Sequence, residues 1–196
     1  VWGGSNIASH FNRTNVPPQC GESWEVSAVQ DSISVIETGF LAGNTLQEAI
    51  EVYMDELLGA SVFDTFGVEF PLLCKFIDSR DFLSVQVHPN NDLARERHNS
   101  YGNTEMWYVV EAEEDAQLIL GFNRDMSRDE FLAIVQDSKE LVNSLLYHPV
   151  KKGEVFFVPA GLVHAIGQGV LLAEIQQTSD VTYRIYDWDR KNADGN

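Results

Sequence analysis

The chain is poor in cysteine and in basic residues. Cys20 and Cys74 are its two cysteines, and they have neither the C-x-x-C spacing of a redox or metal pair nor the density of a disulfide scaffold. The reduced cytosol is the compartment this usage implies. Lysine and arginine number 13 against 30 aspartates and glutamates, a formal net charge of −17. That balance argues against a general nucleic-acid binder or a ligand of acidic membranes, because both need a basic footprint. No apolar run approaches the ~20 residues of a membrane span. No basic-then-apolar leader opens the chain, and it has no internal repeat and no low-complexity stretch. What is present is a globular composition, 44% hydrophobic and 11% aromatic over 196 residues, long enough for one domain with a real core.

Stretches rich in β-branched and aromatic residues recur at 22–28, 33–38, 70–77, 83–88, 105–111, 117–122, 155–159, 170–176 and 181–188, punctuated by Gly, Asn, Asp and Pro. Many short strands without a βαβ rhythm predict a mainly β sandwich or barrel. Helices are expected over 45–58, where Thr45 and Glu48 have capping-box spacing, and over 127–146, where Ser127 and Glu130 repeat it. A short polar helix is expected at 91–99, and 192–196 reads as a polar tail. Cys74, in an apolar run, reads as core.

The chemistry concentrates in two runs. Gly153 to His164 reads as an apolar strand ending in a Pro159/Gly161 turn that presents His164. Leu83 to Pro89 carries Gln86 and His88 two residues apart, which in a strand puts them on one face. Glu105 opens a third strand-like segment. A lone histidine among apolar neighbours is more often packed against backbone than a ligand, Glu105 alone reads as an exposed carboxylate, and Gln86 alone as a structural amide. Converging, they form a mixed N/O donor set without thiolate, which suits Zn²⁺ and tolerates Mn²⁺ or Co²⁺. Further on, Glu174 and Gln176 share a strand face. Arg184 and Arg190 serve either anion recognition or ordinary ion pairs with neighbouring aspartates. His10, His98 and His148 lie in polar turns and receive no role.

These residues resemble a known pattern. Gly153-x5-Pro159-x-Gly161-x2-His164 is similar to the second cupin motif, with Gln168 where an Asn is usual. More closely, the chain resembles the type I mannose-6-phosphate isomerases in their short bacterial form. The matching runs are Gly21–Ser27, Leu83–Pro89, Thr104–Tyr108, Phe157–Gly161 with His164–Gly167, and Glu174–Asp180 with Tyr183–Arg190. The resemblance implies a cupin-type jelly-roll barrel with a few peripheral helices, residues 1–196 forming one metal-binding catalytic domain. It implies a zinc-dependent aldose–ketose isomerase acting on mannose 6-phosphate and fructose 6-phosphate, a cytoplasmic enzyme with a small sugar phosphate as its partner. Gln86, His88, Glu105 and His164 take the positions of the metal ligands, Arg184 that of a catalytic arginine, and Glu174 that of the carboxylate placed with it. Ser84 takes a phosphate-holding position, and Arg190 and Asn103 flank the substrate.

Two departures stand out. Members of that family usually carry Lys two residues before the metal Glu, where this chain has Asn103, so a cation near the phosphate is lost. The chain also starts at the Trp-Gly-Gly run and stops shortly after Asp187-Trp-Asp-Arg190, so it is expected to be a portion truncated at both ends relative to the family. Two rival readings use the same residues: a metal- or sugar-binding cupin without turnover, and another metal enzyme such as an Fe²⁺ oxygenase.

Overall fold

Alternation within strands builds this protein. In β2 (Leu72–Ser79) the side chains of Leu73 and Ile77 are buried while Leu72 is exposed, as the two-residue period of a strand requires. The computed structural model of the chain describes residues 2–191, so the polar tail expected at 192–196 lies outside the described residues.

Among the described residues ten strands form two five-stranded sheets in which every pairing is antiparallel. The first runs β1 (Glu22–Val26), β2, β9 (Val170–Gln177), β4 (Glu105–Ala112), β7 (Val155–Val158). The second runs β10 (Tyr183–Tyr186), β3 (Val85–Val87), β8 (His164–Ile166), β5 (Gln117–Phe122), β6 (Leu145–Pro149). The main core joins them: Ile77, Trp107, Val109 and Leu172 from the first sheet pack with Leu118 and Ile166 from the second. A second cluster, Val85, Ile119, Leu145 and Ala165 with Phe82, Tyr186 and Trp188, involves residues that alternate with those of the first along β5 and β8.

Six helices of the described residues lie among the strands. The expected helix at 45–58 is α2 (Leu46–Leu58), opened by a complete Thr45/Glu48 capping box but interrupted at Met54, whose φ of +46° is not helical. The polar helix is α4 (Asn91–His98), whose cap Asn90 accepts from the Leu93 N–H. The expected helix over 127–146 is broken in two, α5 (Arg128–Ile134) and α6 (Ser138–Ser144). The break is local: Asp137 accepts the N–H groups of Lys139 and Glu140 and so starts a new helix. The end of the expected helix is strand β6 instead. Two short helices, α1 (Asn6–His10) and α3 (Ala60–Phe66), were not legible in the apolar pattern. Among the described residues no helix is long and apolar enough to cross a membrane.

Two strand expectations are corrected. Segment 33–38 pairs with no sheet; Val35 makes an isolated bridge to Thr45, and Ile36 exchanges backbone bonds with Asn44 and Gly43 in a local turn. Three-residue β8, too short to show a period, follows the Pro159/Gly161 turn, so His164 opens a strand rather than ending one. Cys74 is half-buried, not core, because it alternates with buried Leu73.

The turn after β8 is a tight point. A Cβ added at Gly167 would lie 2.1 Å from the carbonyl oxygen of Gln117, which already accepts the Gly167 N–H. We expect Gly167→Ala to destabilise the fold by about 1–3 kcal/mol or more through forced backbone displacement, read as a lower midpoint in denaturant unfolding. An unchanged midpoint would show that this strand-to-turn contact yields freely.

Candidate metal centre and its cavity

The register of the strands gathers the polar side chains at one end of the space between the sheets. In the first sheet Lys75 pairs with Glu174 and Glu174 with Trp107, while Glu105 pairs with Gln176. In the second, Arg184 pairs with Gln86 and Gln86 with His164. Apolar residues two positions along the same strands, Ile77, Leu172, Val109 and Ile166, fill the other end. A cavity of about 400 Å³ opens at the polar end, lined by Lys75, Ser84, Gln86, His88, Asn103, Glu105, Glu174, Gln176, Arg184 and Arg190 among others. A larger cavity, about 960 Å³, is lined by residues including Asp31, Glu69, Arg95 and His98. The chemistry sits in the smaller, where the buried titratable groups converge.

His88, Glu105 and His164 bring their donor atoms within 4.8 Å of one another, all three side chains buried. Each imidazole is oriented by its far nitrogen. His88 Nδ1 lies 2.9 Å from the Val181 carbonyl oxygen, and His164 Nδ1 lies 2.9 Å from the Leu162 carbonyl oxygen. A carbonyl can only accept, so the proton resides on Nδ1 and the Nε2 lone pair is left facing the centre. His88 Nε2 approaches Glu105 Oε1 at 3.0 Å but off the direction of a hydrogen bond, and it is the one buried side-chain N or O atom without a hydrogen-bond partner among the described residues. His164 Nε2 lies 3.9 Å from Glu105 Oε2. Two imidazoles and a carboxylate converging on one point fit a divalent cation.

The chain's own loops hold these donors. Gly161, at φ +88°, takes the left-handed conformation that favours glycine, and its N–H donates to the His88 carbonyl. The turn that presents His164 is thereby tied to the strand that presents His88. Gln86 lies beside His164 but turns its amide nitrogen towards it, at 3.4 Å from Nε2, while its Oε1 accepts from Ser84 Oγ at 3.3 Å. Ligation through oxygen would need the carboxamide to turn over.

The electrostatics follow from burial. Two carboxylates, Glu105 and Glu174, share the site with one ammonium, Lys75, whose Nζ lies 3.0 Å from Glu174. Burial pushes the Glu174 carboxyl up, the Glu105 charge adds to it, and Lys75 offsets only part, leaving it at about 7. Burial works in the same direction on Glu105, yet contact with His88 and the charges of His164, His88 and Lys75 outweigh it and hold that carboxyl below its usual range. Burial would lower Lys75, but Glu174 and Glu22 keep it above the usual lysine value. Burial lowers the His164 imidazole.

Arg184 is exposed at the cavity mouth. Arg190 lines the same cavity with its guanidinium bonded to Asp187 and to the Phe82 carbonyl. Three participants escaped the sequence reading. Lys75 follows Cys74 in an apolar run, and Trp107 sits in a stretch read as a strand without a role for it. Strand period was the missed signal, since Lys75 lies on the face of Leu73 and Ile77, and Trp107 on the face of Glu105. Trp107 Nε1 donates to both Glu105 and Glu174, at 3.1 and 2.8 Å. Trp24 lies with its ring 5.5 Å from the Lys75 ammonium.

A sequence profile described as phosphomannose isomerase type I, catalytic domain, matches residues 1–114. The chain belongs to the type I phosphomannose isomerase family. That match takes in Gln86, His88 and Glu105; His164, Glu174 and Arg184 fall within matches along the whole chain. The chain is 40% identical to mannose-6-phosphate isomerase of Streptococcus mutans and 40% identical to mannose-6-phosphate isomerase ManA of Bacillus subtilis, each match covering 100% of this chain and 60% of the relative. The crystal structure of the mannose 6-phosphate isomerase from Bacillus subtilis superposes with a TM-score of 0.88 at 34% identity, covering 100% of this chain and 60% of that one. The chain thus spans about 60% of the length of these relatives.

The raised Glu174 carboxyl has a consequence for stability. A group that binds its proton more tightly folded than unfolded contributes stability fully below its unfolded value, near 4.5, and loses it as pH rises through about 7. The metal-free protein should therefore lose up to about 3 kcal/mol between those limits from this group. Glu174→Gln should flatten that part of the pH profile, measured by thermal unfolding in chelator. Parallel profiles for the two proteins would contradict the assignment.

Proposed function

We propose that this chain is the catalytic portion of a zinc-dependent mannose-6-phosphate isomerase, built as one cupin-type jelly-roll domain that interconverts mannose 6-phosphate and fructose 6-phosphate in the cytoplasm. The observation that carries the reading is the convergence of His88, Glu105 and His164 beside a buried carboxyl poised near neutrality. Two facing five-stranded antiparallel sheets support the jelly roll. The acidic surface supports a small-molecule partner rather than nucleic acid.

Moving a proton between C1 and C2 of a sugar passes through an enediol or enediolate, in which negative charge develops on oxygen. His88, Glu105 and His164 are the proposed ligands of a divalent cation, with Gln86 joining through its amide oxygen. Such an ion, when bound, supplies Lewis acidity to a sugar oxygen. Glu174 is the proposed proton carrier, since an acid–base group works best with its pKa near the operating pH. Lys75 and Trp107 set that pKa and hold the carboxylate in place. Arg184, at the mouth, supplies a planar fork for the phosphate or the developing oxyanion. Ser84, Arg190 and Asn103 form the surrounding wall against the substrate.

Turnover of mannose 6-phosphate should be abolished by chelator and restored by Zn²⁺. Arg184→Lys should lower kcat/KM by about 100-fold or more, because lysine cannot reproduce the fork. It should leave the unfolding midpoint unchanged, since Arg184 is exposed. Activity near wild type in that variant removes Arg184 from the mechanism. Oxygen consumption with Fe²⁺, in place of isomerisation, would put a different enzyme on these ligands.

A further inference from the structure

Asn103, two residues before Glu105, has an engagement that a lysine at this position could not have. Its side chain is buried, and its Nδ2 donates to Glu105 Oε1 at 2.7 Å. Its Oδ1 accepts from Gln176 Nε2 at 3.1 Å. Gln176, also buried, turns that same nitrogen to the carbonyl oxygens of Ser179 and Gln177, at 2.7 and 3.0 Å.

The polarity of this chain of bonds is fixed by chemistry. The two carbonyls can only accept, so the nitrogen of Gln176 must face them and, with them, Asn103. Asn103 must then accept through its oxygen, which leaves its amino group for Glu105. An ammonium at position 103 could donate to Glu105 but could not accept from Gln176. Glu105 is held at its other oxygen by Trp107 Nε1, so with Asn103 both oxygens are fixed and each keeps a lone pair. The backbone helps, since the Asn103 N–H donates to the Pro89 carbonyl next to His88.

We propose that Asn103 is a positioning residue for the metal centre: its amide, oriented by Gln176 and the loop after β9, sets the angle at which Glu105 meets a divalent cation. The inference rests on the metal-centre reading given above.

Zn²⁺ alone is the probe, titrated against a competing chelator into the full chain, with the visible spectrum of the Co²⁺-loaded protein as a second readout. Asn103→Leu keeps the size and removes the donor. Asn103→Ala removes the donor but leaves room for a water to take its place. Loss of a residue that orients a ligand typically costs 10–100-fold in metal affinity. The leucine variant should lose Zn²⁺ affinity in about that range, the alanine variant less, and the Co²⁺ spectrum should shift in the same order. Should leucine not be accommodated, the alanine variant carries the reading by itself. Affinities within about threefold of wild type with an unchanged Co²⁺ spectrum would overturn the positioning role while leaving the metal centre standing. A wild-type chain that binds neither ion would overturn both.

Discussion

The site depends on a carboxylate, Glu105, buried between two imidazoles that both turn their proton-free nitrogen towards it. Burying a charge is costly unless it is paired. Glu105 meets this demand with Asn103 and Trp107 on its two oxygens and Lys75 at longer range. The arrangement is nonetheless short of positive charge, because Glu174 shares the single ammonium. The proton that Glu174 retains near neutrality is one answer to that shortage, and a divalent cation is another. The same imbalance therefore explains both the candidate metal centre and the candidate proton carrier.

Strand register makes the imbalance possible. Lys75, Glu174 and Trp107 form one cross-strand row, and Glu105 with Gln176 forms the next. Arg184, Gln86 and His164 form the corresponding row in the other sheet. A slip of one residue in any of these strands would exchange the inner and outer faces. The apolar end of the same faces supplies the packing that holds the polar end in place: Ile77, Val109, Leu172, Leu118 and Ile166 lie in one continuous core. The site thus borders the core, with the Pro159–Gly161 turn and the loop after β9 bonded to its residues.

Much of this was legible in the sequence. The strands at 105–111, 117–122 and 170–176 stand close to their observed limits because each is an apolar-rich run bounded by Gly, Asn, Asp or Ser. His88, Glu105 and His164 were legible as ligand-type residues beside Pro and Gly turns, and the structure brings all three to one point. The failures have physical reasons. Segment 33–38 has strand-forming residues but no neighbour to pair with, and β propensity is largely a matter of neighbours. β8 has three residues, too few to show a period. Lys75 was hidden because a charged residue in an apolar run reads as an interruption, whereas its partner Glu174 is nearly a hundred positions away. The orientation of Asn103 was beyond sequence reasoning altogether, since it is decided by Gln176 and two backbone carbonyls.

The most direct test of this account is anomalous diffraction at the zinc edge from crystals of the chain grown with Zn²⁺. The account predicts one strong peak in the 400 Å³ cavity, within roughly 2.0–2.2 Å of His88 Nε2, His164 Nε2 and a Glu105 oxygen. A peak held by other residues, or no peak at these three side chains at saturating Zn²⁺, would contradict it.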